Sequence, residues 1–154
     1  MAEKTIDIAS PILSRNERLA DQLRQRFNET NTYVINVLSS PGSGKTTTIL
    51  GTNERLRDAV IEGDIASDVD AITMKEAGMP AIQINTGGLC HLEGNMIMEA
   101  VDAFDQAVGL ENIDVIFIEN VGNLVCPVDF DLGENLSIMI LSVPEGDDKP
   151  IKYP

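Results

Sequence analysis

Eight consecutive residues, Ser39-Ser40-Pro41-Gly42-Ser43-Gly44-Lys45-Thr46, have the types and spacing of a loop that wraps a phosphate. Gly42 and Gly44 let the backbone approach an anion closely, so that amide N–H groups and a helix N-terminus can surround it. In such a loop Lys45 bridges β- and γ-phosphates and the Thr46 hydroxyl ligates Mg²⁺. The pattern is GxxxxGK(S/T), with Ser39 in place of the first glycine. A Gly/Ser-rich turn capping an ordinary helix is the bland alternative, but an apolar strand before the loop and a helical stretch after it favour phosphate binding.

Metal and water need acidic partners. Glu119 follows the apolar run Val115–Ile118 and precedes Gly122 by three residues, as the acid of a Walker-B-type ExxG sequence does near magnesium and γ-phosphate. Asp64, Asp68 and Asp70 lie beyond a second strand, where a switch segment could order against that phosphate, although acidic loop residues are often only solvated.

A second constellation is sulfur-based. His91, the sole histidine, directly follows Cys90, and the other cysteine, Cys126, sits in Asn123-Leu124-Val125-Cys126-Pro127. Thiolate and imidazole suit Zn²⁺ or Ni²⁺. Three ligands do not close a tetrahedral structural site, which points to an exchangeable position or to sharing across a dimer. Two buried thiols, or a Cys-His nucleophile and base, are the competing readings; adjacent residues rarely orient well for the latter.

The elements that must position these groups alternate. A leading amphipathic helix carries Ile12, Leu19, Leu23 and Phe27 on one stripe. Strands are expected at 33–38, 59–62, 81–85, 114–118 and 136–143, and helices at 45 to about 57, 70–77 and 96–108. Near-continuous apolar strands alternating with helices imply an α/β fold, a mostly parallel sheet covered on both faces by right-handed crossovers. Ligands then collect beyond the carboxyl ends of the strands, where the loops 39–46, 64–70, 85–91 and 119–126 meet.

With 154 residues, a single domain over 1–154 is expected, a leading helix within 1–30 and a core over 33–154. The formal charge of −14 repels nucleic acid but not a nucleotide held by local amides and one lysine. No apolar run approaches the roughly 18 residues of a membrane span, and the start of the chain lacks a secretory pattern, so a cytoplasmic location is expected.

Ser40–Thr47, Glu62-Gly63-Asp64, Gln83–Gly87, Cys90-His91-Leu92, Glu119–Pro127, Phe130–Glu134 and Glu145–Pro150 together resemble the HypB family of nickel-hydrogenase maturation GTPases, over nearly the whole chain. The resemblance implies a SIMIBI-class P-loop GTPase with a three-layer fold, using GTP and Mg²⁺. It further implies a nucleotide- and metal-dependent homodimer that helps insert nickel into nickel–iron hydrogenase, working with maturation partners and the hydrogenase large subunit. Carried over residue by residue, it assigns Gly42, Ser43, Gly44, Lys45, Thr46 and Thr47 to the nucleotide and Thr46, Asp70 and Glu119 to magnesium. Cys90, His91 and Cys126 fall to nickel or zinc, and Lys45, Asp64, Asp70 and Glu119 to catalysis. The chain departs from the family at Ser39, in the short connection before Ala59, and in having no lysine before Cys90. The usual C-terminal strand and Asn-Lys-x-Asp base-binding loop are also expected to be lacking, so guanine preference rests on the resemblance alone. The alternatives are a nickel- or zinc-binding dimerisation module with weak or no hydrolysis, a urease-maturation-type GTPase, or a small-molecule P-loop kinase, which would leave the cysteine segments unexplained.

Overall fold

The computed structural model describes residues 9–52, 56–65, 69–146 and 148–152. Five strands, β1 (Tyr33–Ser39), β2 (Asp58–Asp64), β3 (Ala81–Asn85), β4 (Val115–Glu119) and β5 (Leu136–Ile140), pair in the order β3-β2-β4-β1-β5. Every pairing is parallel. Parallel neighbours need crossovers, and these place helices on both faces. On one face α1 (Ala9–Thr30) and α4 (Gly94–Ala107) enclose Leu23, Phe27, Val34, Ile61, Ile97, Phe104, Ile116 and Ile118. On the other, α2 (Lys45–Leu50) and α3 (Val69–Glu76) cover Val37, Ile49, Val60, Met74 and Phe117. This is the expected three-layer α/β fold.

The leading helix docks through Ala20, Leu23 and Phe27, each 1% exposed or less, and burying the two larger side chains contributes about 1.5–3 kcal/mol apiece. Arg26 ties it to α4 by pairing with Asp102 and, at 2.9 Å, with Asp105. It ends where Asn31 turns left-handed (φ 56°) and the Thr32 amide donates back to the Phe27 carbonyl at 3.0 Å, a Schellman-type stop. Ile12 departs from the expected stripe. It is half exposed, because the first turns of α1 border a groove beside Glu93 and Asn95 rather than the core.

Two other boundaries shift for physical reasons. The first crossover helix, expected to reach about residue 57, stops at Leu50, and β2 begins at Asp58. The connection must run from the carboxyl end of β1 to the start of β2; a helix continued to residue 57 would leave nothing with which to turn. Beyond Gly51 the Thr52 hydroxyl instead donates to the Ile49 carbonyl (2.6 Å) and to Asp58 (3.1 Å); residues 53–55 lie outside the described ones. At the other end β5 stops at Ile140, not Val143, since β1, its only partner among the described residues, ends with Ser39 paired to Ile140. Among the described residues β5 is a sheet edge, with Leu136 and Met139 more than 40% exposed. α5 (Lys149–Lys152) closes the described chain.

Candidate active site

The phosphate loop joins the end of β1 to α2 as expected. Gly42 and Gly44 have φ of 72° and 95°, a conformation that favours glycine, and open space lies in front of both. No side chain caps the N-terminus of α2, so its first amides face outward for an anion. Ser39 stands at the first-glycine position without strain. It is the last strand residue, pairs antiparallel with Asn123, and sends its hydroxyl to the Ser40 carbonyl at 2.8 Å. Lys45 is 9% exposed, and the Ser43 hydroxyl is buried with no protein partner.

The ExxG segment packs directly on this loop. A Cβ on Gly122 would lie 2.9 Å from Pro41 Cγ and 3.0 Å from its Cα and N. Backbone atoms cannot give way as a flexible side chain can. Gly122→Ala is therefore expected to push the phosphate loop from its position, costing about 1–3 kcal/mol of stability and weakening nucleotide binding together, as denaturant unfolding and nucleotide titration would read.

Glu119 ends β4 beside the phosphate loop. It is 2% exposed, accepts a 2.9 Å hydrogen bond from the Thr46 hydroxyl, and lies 4.0 Å from the Lys45 ammonium. The turn after it is held by Asn120, whose amide donates to Asn36 (3.1 Å) while its oxygen accepts from the Val121 amide (2.9 Å). Asp70, at the start of α3, joins Glu119 and a residue absent from the expected site, Glu62. Ligand oxygens of the three lie within 4.8 Å of one another, and no other set of three His, Cys, Asp or Glu does so among the described residues. Asp64 lines the same cleft of about 210 Å³, with Gly42, Lys45 and Asn120, but stands outside the converging set. Asp68 lies outside the described residues. Thr47, with Lys45, Thr46 and Asp70, lines a second opening.

Strand register explains why Glu62 arrives there. Glu62 is paired in register with Glu119 on one side and Gln83 on the other, so the three share the face covered by α2 and α3. One sheet step earlier the same face carries Ala81, Val60 and Phe117, which are core. The sequence did hold a signal: a carboxylate at the end of the buried run Ala59-Val60-Ile61 needs a partner or a cation.

Burial, the most important cause, pushes Glu62 from the ordinary 4.5 to about 8; the nearby charges of Glu119, Asp64 and Asp70 push the same way and a bond from Gln83 opposes them. Burial also raises Glu119, against the Thr46 bond and the Lys45 charge. The Oε2 atoms of both glutamates are buried without protein partners. Crowded, dehydrated carboxylates with orphan oxygens beside a threonine hydroxyl fit a hard divalent cation such as Mg²⁺. Because the folded-state value of Glu62 is raised, its contribution to stability is full below about 4.5 and lost as pH rises through 8. In a chelator the domain is expected to lose stability across that window, with a shallower fall in Glu62→Gln. Millimolar Mg²⁺ should restore more at pH 8 than at pH 5, as thermal melts would show.

The cysteine segments also meet. The Cys90 thiol is pushed above its usual range first by its hydrogen bond with the Cys126 sulfur and then by burial, so the two sulfurs adjoin. Cys90 Sγ lies 3.8 Å from His91 Nδ1. The imidazole stacks on Phe130, ring centres 3.9 Å apart, and its Nε2 is 3.3 Å from Glu93. Asn123 shapes the other loop, accepting from the Val125 and Cys126 amides and donating to Cys126 Sγ at 3.6 Å. Cys90 therefore meets each of the other two, but the three ligand atoms do not all lie within 4.8 Å of one another.

A phosphate loop between a central strand and its helix, faced by carboxylates from the neighbouring strands, is the arrangement of the P-loop nucleotide-binding domains, to which this chain's fold and site assign it. A family model described as CobW/HypB/UreG, nucleotide-binding domain, matches residues 33–140, and the chain belongs to that family. It is 47% identical to the hydrogenase maturation factor HypB of Escherichia coli over 98% of this chain and 52% of that protein. To the hydrogenase/urease maturation factor HypB of Helicobacter hepaticus it is 46% identical, over 99% of this chain and 64% of the relative. A crystal structure of HypB from Helicobacter pylori in complex with nickel superposes with a TM-score of 0.87 at 45% identity, covering 91% of this chain and 66% of that one. HypB from Archaeoglobus fulgidus gives 0.81 at 40% identity, covering 92% and 68%. The chain thus spans about half to two thirds of the length of these relatives. Among the described residues no helix is long and apolar enough to cross a membrane.

Proposed function

We propose that this domain binds and hydrolyses GTP with Mg²⁺ and couples the nucleotide cycle to nickel handling during maturation of nickel–iron hydrogenase. The observation that carries the reading is the convergence of Lys45, Thr46, Glu62, Asp70 and Glu119 beside the phosphate loop. The loop amides and Lys45 bind and orient the β- and γ-phosphates, and Thr46, Glu119, Glu62 and Asp70 would hold the cation. When bound, Mg²⁺ supplies neutralisation of charge on the transferring phosphoryl group. Glu62, protonated near neutral pH, would release its proton to solvent on serving as a ligand of the cation. Asp64, which lines the cleft, would orient water at the γ-phosphate.

Cys90, His91 and Cys126 hold nickel, or zinc, as cargo. His91 is oriented by Phe130 and Glu93, and a modest closure of its loop onto Cys126 completes the set. The incomplete convergence of three donors suits a site shared between two copies, in keeping with a nucleotide- and metal-dependent homodimer, and with transfer to hydrogenase maturation partners and the large subunit in the cytoplasm. Turnover of GTP and ATP, with and without Ni²⁺, tests the reading. GTP hydrolysis that requires Mg²⁺, exceeds ATP hydrolysis and changes with Ni²⁺ supports it; no turnover, or no preference for guanine, would sink it.

A further inference from the structure

The in-register row Glu119–Glu62–Gln83 ends in a residue to which the reading above gives no role. Gln83 lies on the edge strand β3 between apolar neighbours, Ile82 and Ile84, and its side chain stands beside Glu62. Its amide nitrogen bonds Glu62 and makes a long 3.4 Å contact to the Ile84 carbonyl, while its Oε1 is buried with no protein partner. An amide kept for the fold alone satisfies both of its ends. Here one end is spent on a carboxylate and the other is left orphaned in the same buried row. Glu62 shows the complementary pattern: Gln83 engages it from the β3 side, its Oε2 is buried without a protein partner, and one of its carboxylate oxygens lies within 4.8 Å of ligand oxygens of Asp70 and Glu119.

We infer that Gln83 is a positioning residue for the carboxylate cluster, its amide holding Glu62 from the next strand so that the free oxygen of that carboxylate is turned toward Asp70 and Glu119 to complete a divalent-cation site. The inference rests on the cluster being such a site. Gln83 does not touch the cation. It fixes a ligand that does, as outer-shell partners of metal ligands do, whose loss typically weakens metal affinity about 10–100-fold.

The test uses Gln83→Met, which keeps length and burial but removes the amide, with Gln83→Leu as a second variant and circular dichroism to establish folding. Mn²⁺ serves as the probe, its binding to intact protein followed by electron paramagnetic resonance without nucleotide and with GDP. The dissociation constant is expected to rise about tenfold, and the Mg²⁺ concentration that half-saturates thermal stabilisation to rise with it. Nucleotide affinity in chelator should not shift. A side chain serving only the fold would lower the melting temperature and leave Mn²⁺ affinity alone; that result in a folded variant overturns the inference. Failure of the unaltered protein to bind Mn²⁺ in either condition overturns it together with the cation reading. Binding without turnover removes the GTPase reading and leaves this inference standing.

Discussion

Replacing Lys45 by alanine is expected to lower GTP turnover about 100–1,000-fold, the range observed when one preorganised donor to a developing charge is removed. The geometry makes the lysine hard to replace. Lys45 is 9% exposed at the end of a loop rich in backbone amides, and among the described residues lining the cleft it is the only cation. A charge so placed acts with little screening and needs no reorganisation when the phosphoryl group moves. Stability should change less than turnover. At 4.0 Å the Lys45–Glu119 contact is a charge interaction without a hydrogen bond, and Glu119, already raised by burial, can take up a proton once its counter-charge is gone. Steady-state hydrolysis of GTP beside a thermal melt separates the two effects. Equal rates in the two proteins would remove the phosphate loop from the reaction.

Cys90→Ala is expected to abolish stoichiometric Ni²⁺ binding, with affinity falling by more than the 10–100-fold typical of losing an outer-shell partner. Cys90 is the hinge of the constellation, since its thiol is hydrogen-bonded with the Cys126 sulfur and also faces His91 Nδ1 at 3.8 Å. Its removal leaves only two of the three donors. The Phe130 stack and the Glu93 contact would still hold the imidazole, so the loop should keep its shape while the metal is lost. Isothermal titration with Ni²⁺ gives the stoichiometry directly. Unchanged binding would place the nickel site elsewhere in the chain.

The phosphate loop, the ExxG acid and the cysteine segments were legible because each is local: an ordered run of glycines, lysine and threonine, an acid at a strand end, or a thiol beside an imidazole declares its chemistry within a few residues. The boundaries that moved depend on partners far away in sequence. α2 stops early because the chain must turn back to β2, and β5 stops where β1 leaves it unpaired. Glu62 belonged to a recognised segment, but its role depended on which strand lies beside it.

Residue type and order were therefore sufficient for the α/β alternation and for locating the phosphate-loop, ExxG and cysteine segments. Tertiary structure alone decided that β4 lies between β1 and β2, and with it that Glu62 and Glu119 sit side by side. It also decided that Asp70 reaches them from α3 and that Gln83 backs them from the sheet edge. Strand order and register are collective outcomes of packing two apolar faces at once. No short window of sequence contains them.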